Sequence, residues 1–232
     1  MSFWDQQFSA PGFKYGTAPN AFLREQASLL GGRREVLVPG DGEGRNGVWL
    51  ATLGHRVIAI DSSAIGLSKA RALAAEQAVQ IETMTADLSE WVPARDSADA
   101  VMLIYVHFPP AVRATIHARL LGALREGGLL ILEAFHPDQI GRTSGGPKDP
   151  SMLYTLAMLR DDVARVSGAT FDEILAWDGE TDLDEGPGHQ GSARVVRFIL
   201  QRRTPECRHA IRRDARIDTK KRRNAVTIEC SS

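Results

Sequence analysis

From residue 35 onward, short β-branched and apolar runs alternate with longer stretches in which apolar residues recur at helical spacing. Runs near 35–39, 56–60, 80–85, 98–105 and 128–135 read as strands, and Asn46–Leu53, Ala64–Gln77 and Ala111–Arg125 read as helices. Pro109 and Pro110 suit the start of the third helix and Gly127-Gly128 its end. Such alternation predicts a parallel sheet covered by helices, with right-handed crossovers placing the strand C-termini and the following loops along one edge. A ligand belongs at that edge.

After the fifth strand the rhythm changes. His136 to Pro150 is rich in Gly and Pro, and a helix near 151–167 follows, then strands near 170–177 and 193–202. The last two are joined by Asp178 to Ser192, a loop dense in Gly and acids, with no helix to carry a crossover, so they are expected to be antiparallel. The expectation is an α/β, Rossmann-like, three-layer fold: seven mostly parallel strands, an antiparallel final strand and helices on both faces.

The 232 residues, 43% hydrophobic and 25% charged, fit one mid-sized domain. No apolar run approaches the ~18 residues of a membrane span, and the start, Met1 to Gln6, lacks the basic-then-apolar layout of a signal peptide; a cytoplasmic protein is expected. Cys207 and Cys230 are too few for a disulfide scaffold, and neither they nor the histidines have zinc-ligand spacing, so no metal is expected. A net charge of -1 hides an asymmetry, for residues 201–232 hold ten Lys/Arg against four Asp/Glu. That basic tail, with Lys220-Lys221-Arg222-Arg223, reads as a solvated extension, and no nucleic-acid motif accompanies it. The expected organisation is an N-terminal lid segment and helix (1–34), a domain over 35–203 and the tail (204–232).

The chemistry concentrates between Glu35 and Asp61, where Val36-Leu37-Val38 meets Pro39 and the turn Gly40-Asp41-Gly42-Glu43-Gly44. Glycines permit tight turns and close approach of a ligand, a following helix offers free N–H groups, and a carboxylate about twenty residues on can hold ribose hydroxyls. Two readings compete. Gly42-x-Gly44-x-x-Gly47 satisfies the dinucleotide fingerprint of an NAD-type oxidoreductase, and Gly40-x-Gly42-x-Gly44 the tighter turn of methyl-donor enzymes. Pro39 cannot donate to a ladder, so the strand ends there and Gly40 is the turn glycine, which favours the second reading.

These residues carry a resemblance. The stretch from Val36 to Ser63, with Asp87-Leu88 after the third strand, resembles the class I S-adenosylmethionine-dependent methyltransferases, in particular the tellurite-resistance and thiopurine-methyltransferase-like group. Gly44-Arg45-Asn46, the segment Trp4 to Leu23, Glu133 to Gln139 and Gly145 to Leu156 extend the likeness over residues 3–202. The resemblance implies S-adenosylmethionine as cofactor, its methionine part against Gly40, Gly42 and Gly44, its ribose on Asp61 and its adenine near Ser62, Asp87 and Leu88, with Asp41, Arg45 and Asn46 as further cofactor-binding candidates. Ile104 and Tyr105 would line the same cleft. Many members carry an acid where this chain has Val38, so the cofactor's ammonium must here use backbone carbonyls or an acid such as Asp41.

Methyl transfer from a sulfonium requires alignment and exclusion of water more than a catalytic triad. A thiol or hydroxyl acceptor is helped by a base, and His107, His136 and His189 fall at the mouth of the expected cleft, while His55 falls at the opposite edge. His189 with Arg197 is the candidate catalytic pair, the arginine orienting an anionic acceptor. Trp4, Phe8, Phe13, Lys14, Tyr15 and Gly16 form an aromatic N-terminal segment expected to fold over the cofactor as a lid, with Tyr15 near the cleft. The function expected is methyl transfer to a small-molecule acceptor, a thiol or metalloid species, by a monomer or homodimer; a cofactor-binding module without catalysis is the further alternative.

Overall fold

The computed structural model describes residues 2–32 and 34–204. The basic tail with Cys207 and Cys230 lies outside the described residues apart from Thr204. One sheet of seven strands runs through them, in the order β3-β2-β1-β4-β5-β7-β6. The strands are β1 (Glu35–Pro39), β2 (Arg56–Asp61), β3 (Glu82–Thr85), β4 (Ala98–Ile104), β5 (Leu124–Phe135), β6 (Phe171–Asp184) and β7 (Gln190–Arg202). β1 to β5 pair in parallel; β7 is antiparallel to both β5 and β6.

Burial explains the apolar rhythm. The central strands β1, β4 and β5 are covered on both faces and read as nearly continuous apolar runs, whereas the edge strands β3 and β6 keep polar, exposed positions. Alternate residues enter different cores. Leu37, Val101 and Leu103 pack against Ile116 and Leu120 of α5 (Pro110–Ala123) and Leu159 of α6 (Leu156–Ala164). Val36, Val38, Met102 and Ile104 pack on the other face against Leu50 of α3 (Arg45–Thr52) and Phe22 and Leu23 of α2 (Ala21–Gln26). Each such fully buried side chain contributes about 1.5–3 kcal/mol.

Three boundaries differ from expectation. Gly127-Gly128 do not end α5, which stops at Ala123; they lie inside β5, where the pairing with β4 shifts register. A Cβ on Gly128 would press on the carbonyls of Arg125 and Asp99, so the glycine serves a close backbone approach. The helix expected over 151–167 is a single turn, Pro150–Met152, followed by α6. The long acidic loop is mostly strand: β6 and β7 pair from Phe171↔Arg202 to Asp184↔Gln190, leaving the turn Glu185 to His189.

The N-terminal segment crosses the edge where β1, β2, β4 and β5 end. It begins with α1 (Phe3–Phe8), which packs on α4 (Ala64–Glu76). Ser63 Oγ donates to Asp5 Oδ1 (2.7 Å), tying α1 to the start of α4. At its other end Gly188 N donates to the Lys14 carbonyl (3.0 Å), bringing the segment onto the β6–β7 turn.

Candidate active site

The glycine turn is shaped by what presses on it. Gly40, Gly42 and Gly44 have φ of 72°, 57° and 90°, a region that favours glycine. A Cβ at Gly40 would lie 2.6 Å from Val106 Cγ2, at Gly42 2.9 Å from the Phe8 ring, and at Gly44 2.7 Å from Ala70 Cα. Gly44 caps α3, so Arg45 and Asn46 are that helix's first residues.

Asp61, at the end of β2, accepts from Gly42 N (2.9 Å) on one carboxylate oxygen and from Ser63 N (2.8 Å) on the other. Burial raises its pKa, and the Ser63, Gly42 and Ser62 N–H groups oppose that rise. Ser62 itself is exposed. Asp87 is also exposed and its carboxylate takes Ser89 N and Oγ (2.8 and 2.7 Å). Leu88 packs on the α5-side core, and Ile104 is buried in the opposite one.

Asp41 does something the sequence did not suggest. Its Oδ1 accepts from Gly47 N (3.1 Å), so it caps the first turn of α3, and a Cβ on Gly47 would collide with its Oδ2. Gly47 is therefore small to admit a carboxylate of this chain. Burial raises the pKa of Asp41 to about 7.

Arg45 and Asn46 reach the N-terminal segment and the β6–β7 turn. Asn20 N donates to Asn46 Oδ1 (2.9 Å), and Asn20 Nδ2 donates to both Glu133 Oε2 (2.7 Å) and Glu185 Oε1 (2.9 Å). Arg45 Nη2 lies 2.7 Å from Glu185 Oε2. Asn20, Glu133 and Glu185 were not expected as site residues, though two carried a signal. Asn20 precedes an apolar run as an N-cap does, and Glu133 interrupts the buried run Leu129 to Phe135, where a carboxylate requires partners.

His189 and Arg197 do not meet. Arg197 Nε donates to Glu133 Oε1 (2.6 Å), and its guanidinium lies between the Phe22 and Trp177 rings, at 4.8 and 5.1 Å. His189 sits among Tyr15 (centroids 4.5 Å apart), Tyr105 (4.5 Å) and Phe135 (5.6 Å). Burial, with the charge of Arg45 next, lowers its pKa to about 3, so the ring is neutral near pH 7. Tyr105 holds a φ of 57°, unusual for an aromatic residue and a mark of local strain. Burial and the charges of Glu133 and Glu185 push its phenol well above the ordinary range.

The remaining histidines have local duties. His107 Nε2 accepts from Phe135 N (3.0 Å) and its Nδ1 faces the Tyr105 carbonyl (3.2 Å), which fixes a neutral tautomer; burial lowers its pKa to about 4. His136 Nδ1 accepts from Asp138 N (3.2 Å), and His55 Nδ1 from Arg34 N (3.2 Å).

The site thus gathers two kinds of feature that suit a cofactor: a glycine cradle, and buried polar atoms without hydrogen-bond partners. Asp41 Oδ2, Arg45 Nη1, Tyr105 Oη and His189 Nδ1 are of this second kind, and Glu185 Oε2 has only its ion pair with Arg45. Burial raises the pKa values of Asp41, Asp61 and Glu133, so their ionised forms are poorly solvated there and a nearby cationic sulfonium or ammonium would favour them. Among the described residues no His/Cys/Asp/Glu group could hold a metal ion, and no helix is long and apolar enough to cross a membrane.

Comparison with known proteins agrees. Residues 36–128 match a family described as a methyltransferase domain. No curated protein matches the chain. Among solved structures, a protein from the conversion of a disulfide bond into a thioacetal group during echinomycin biosynthesis superposes with a TM-score of 0.67 at 15% identity, over 92% of this chain and 95% of that one. TehB from Haemophilus influenzae gives 0.62 at 13% identity, over 86% of this chain and 65% of that one. The Burkholderia thailandensis 1,6-didemethyltoxoflavin-N1-methyltransferase, with 1,6-didemethyltoxoflavin and S-adenosylhomocysteine bound, gives 0.56 at 19% identity, over 79% of each chain. At these identities the likenesses establish the fold. The methyltransferase-domain match sets aside the dinucleotide reading, whose third glycine, Gly47, is the one that accommodates Asp41. With a match to a methyltransferase domain over residues 36–128 on this seven-stranded Rossmann-like sheet, the activity is methyl transfer from S-adenosylmethionine.

Proposed function

We propose that the acceptor is a small molecule with a soft nucleophilic atom, a thiol or metalloid species, as in the tellurite-resistance and thiopurine-methyltransferase-like group. The observation that carries this reading is the neutral, ring-enclosed His189. With its pKa lowered to about 3 it is a hydrogen-bond acceptor but a weak base, which suits a nucleophile that is reactive without strong deprotonation. The echinomycin neighbour, whose chemistry is that of a disulfide, and TehB both have this fold and are consistent with the proposal.

Bound S-adenosylmethionine supplies a methyl group already activated by the sulfonium. The chain's own contribution is to bind, align and dry. Asp61 keeps carboxylate lone pairs for ribose hydroxyls beyond the Gly42 and Ser63 N–H groups, and Ser62, Asp87 and Leu88 flank the adenine. Gly40, Gly42 and Gly44 let the methionine part approach the backbone. Residues 1–34 act as the lid over the domain at 35–203: Phe8 covers Gly42, and Tyr15 closes onto Gly188 and His189. The Nδ1 of His189 and the hydroxyl of Tyr105 face the acceptor. Arg197 serves as a positioning residue that holds Glu133 in place. We place the protein in the cytoplasm as a monomer or homodimer without nucleic acid.

The test is methyl transfer from labelled S-adenosylmethionine to a panel of aryl and alkyl thiols, selenite, tellurite, catechols and amines. Transfer to thiols or metalloid oxyanions is expected. Transfer confined to amines or catechols would contradict the soft-acceptor reading, and binding without any turnover would favour the non-catalytic module.

A further inference from the structure

Arg45 and Glu185 form a buried ion pair that is only half used. Both side chains are over nine-tenths buried (8% and 6% exposed), and Arg45 Nη2 stands 2.7 Å from Glu185 Oε2. Glu185 Oε1 is fully engaged, accepting from Asn20 Nδ2 and Ala21 N at 2.9 Å each. The other ends are less complete: Arg45 Nη1 has no hydrogen-bond partner, and Glu185 Oε2 has only its ion pair with Arg45 Nη2. Burying charges while leaving their bonding capacity open is costly unless something else completes it.

Most neighbouring acids are committed: Asp61 takes Gly42 and Ser63, and Glu133 takes Arg197 and Asn20. Asp41 caps α3 through Oδ1 and leaves its Oδ2 without a partner, against Gly47. Glu43 takes Lys69 Nζ (2.8 Å) and Lys14 N (2.7 Å). Position 38 carries no charge, since Val38 is packed in the core. Arg45, first residue of the helix that follows the glycine turn, and Glu185, across from it on the β6–β7 turn, present one open cationic donor, Nη1, beside an acidic oxygen held only by their own ion pair. The matching chemistry is a zwitterion with a carboxylate and an ammonium on one carbon.

We infer that the Arg45–Glu185 pair clamps the α-amino-acid end of the cofactor, Arg45 taking its carboxylate and Glu185 its ammonium. This rests on S-adenosylmethionine occupying the glycine turn. It gives the ammonium to an acid some 140 residues from that turn, in place of Asp41. Because Glu185 also holds Asn20 and Ala21, the same contact fastens the N-terminal segment over the site.

Calorimetry on the full chain tests this with three probes: S-adenosylhomocysteine, its analogue with the α-amino group replaced by hydrogen, and 5′-methylthioadenosine, which lacks the amino-acid end. E185Q is nearly isosteric, and its amide oxygen can still accept from Asn20 and Ala21. It should weaken S-adenosylhomocysteine by about 10- to 100-fold and leave the other two probes unchanged. R45Q should weaken S-adenosylhomocysteine and the deaminated analogue together, and spare 5′-methylthioadenosine. Unchanged S-adenosylhomocysteine affinity in both variants, or equal loss of all three probes, would overturn the assignment. Failure of the wild-type protein to bind any of the three would instead overturn the cofactor reading beneath it.

Discussion

Two buried ion clusters sit on this sheet, and they are finished to different degrees. On the α5–α6 face, Asp162 receives Arg113 Nε and Nη2 (2.7 and 3.1 Å) and His117 Nδ1 (2.9 Å). Burial would raise the carboxyl, but these partners hold it down at about 2. At the strand-end cleft the balance goes the other way: Glu133 is raised by burial even with Arg197 and Asn20 bonded to it, and Arg45, Tyr105 and His189 keep unpartnered atoms. The first cluster joins two helices to each other and is nearly complete within the fold, His117 Nε2 being its one unpartnered atom. The second joins four distant segments and remains open. A fold has no use for open polar groups at its interior, so the contrast separates what the chain needs in order to fold from what it holds ready for a ligand.

The largest effect should come from breaking the closed cluster. D162A strands Arg113 and His117, and a loss of about 3–5 kcal/mol is expected from urea unfolding. S-adenosylhomocysteine affinity should be unchanged in whatever fraction stays folded. Next comes the cleft: D61N should weaken S-adenosylhomocysteine by about 10- to 100-fold, read by calorimetry, with a far smaller change in unfolding free energy than D162A. If D61N instead unfolded the protein as D162A does, the two regions would not differ in kind.

Their pH responses should also diverge. Asp162, held down at about 2, contributes stability that is complete above the ordinary carboxylate range and lost as pH falls through about 2. Asp41, raised to about 7, binds its proton more tightly folded than unfolded; its contribution is present below the ordinary range and lost as pH rises through about 7. His189 and His107, kept neutral with pKa values of about 3 and 4, bind protons more readily unfolded. Their contribution is complete above the ordinary histidine pKa and is lost as pH falls through that value towards about 4 and 3. D41N should therefore gain stability relative to wild type between pH 5 and pH 8, a modest change visible in thermal unfolding at the two pH values. A variant that tracked wild type across that range would show that Asp41 does not titrate there.

The sequence made the central strands legible because burial on both faces leaves a continuous apolar run, and it made the glycine turn and Asp61 legible because both lie within one local strand-helix-strand unit. What it hid was non-local. Asn20 meets Glu185 across 165 residues and Glu133 across 113, pairings that no local spacing encodes. The glycines of the β6–β7 turn were read as loop composition. A Cβ on Gly188 would run into the Tyr15 ring, and one on Gly186 into the Tyr15–Gly16 backbone, so these glycines record a contact with a segment far away in the chain. His189 and Arg197 looked like a pair from their place near the last strand. Their separation along an extended β7, at about 3.3 Å per residue, puts Arg197 well down the sheet.

The most direct test of this division is hydrogen exchange of the full chain with and without saturating S-adenosylhomocysteine. Protection is expected to rise at residues 3–20, at the glycine turn 40–46 and at 185–191, with no change over α6, where the closed cluster lies. Unchanged exchange at those three segments, or protection that fell equally on α6, would contradict it.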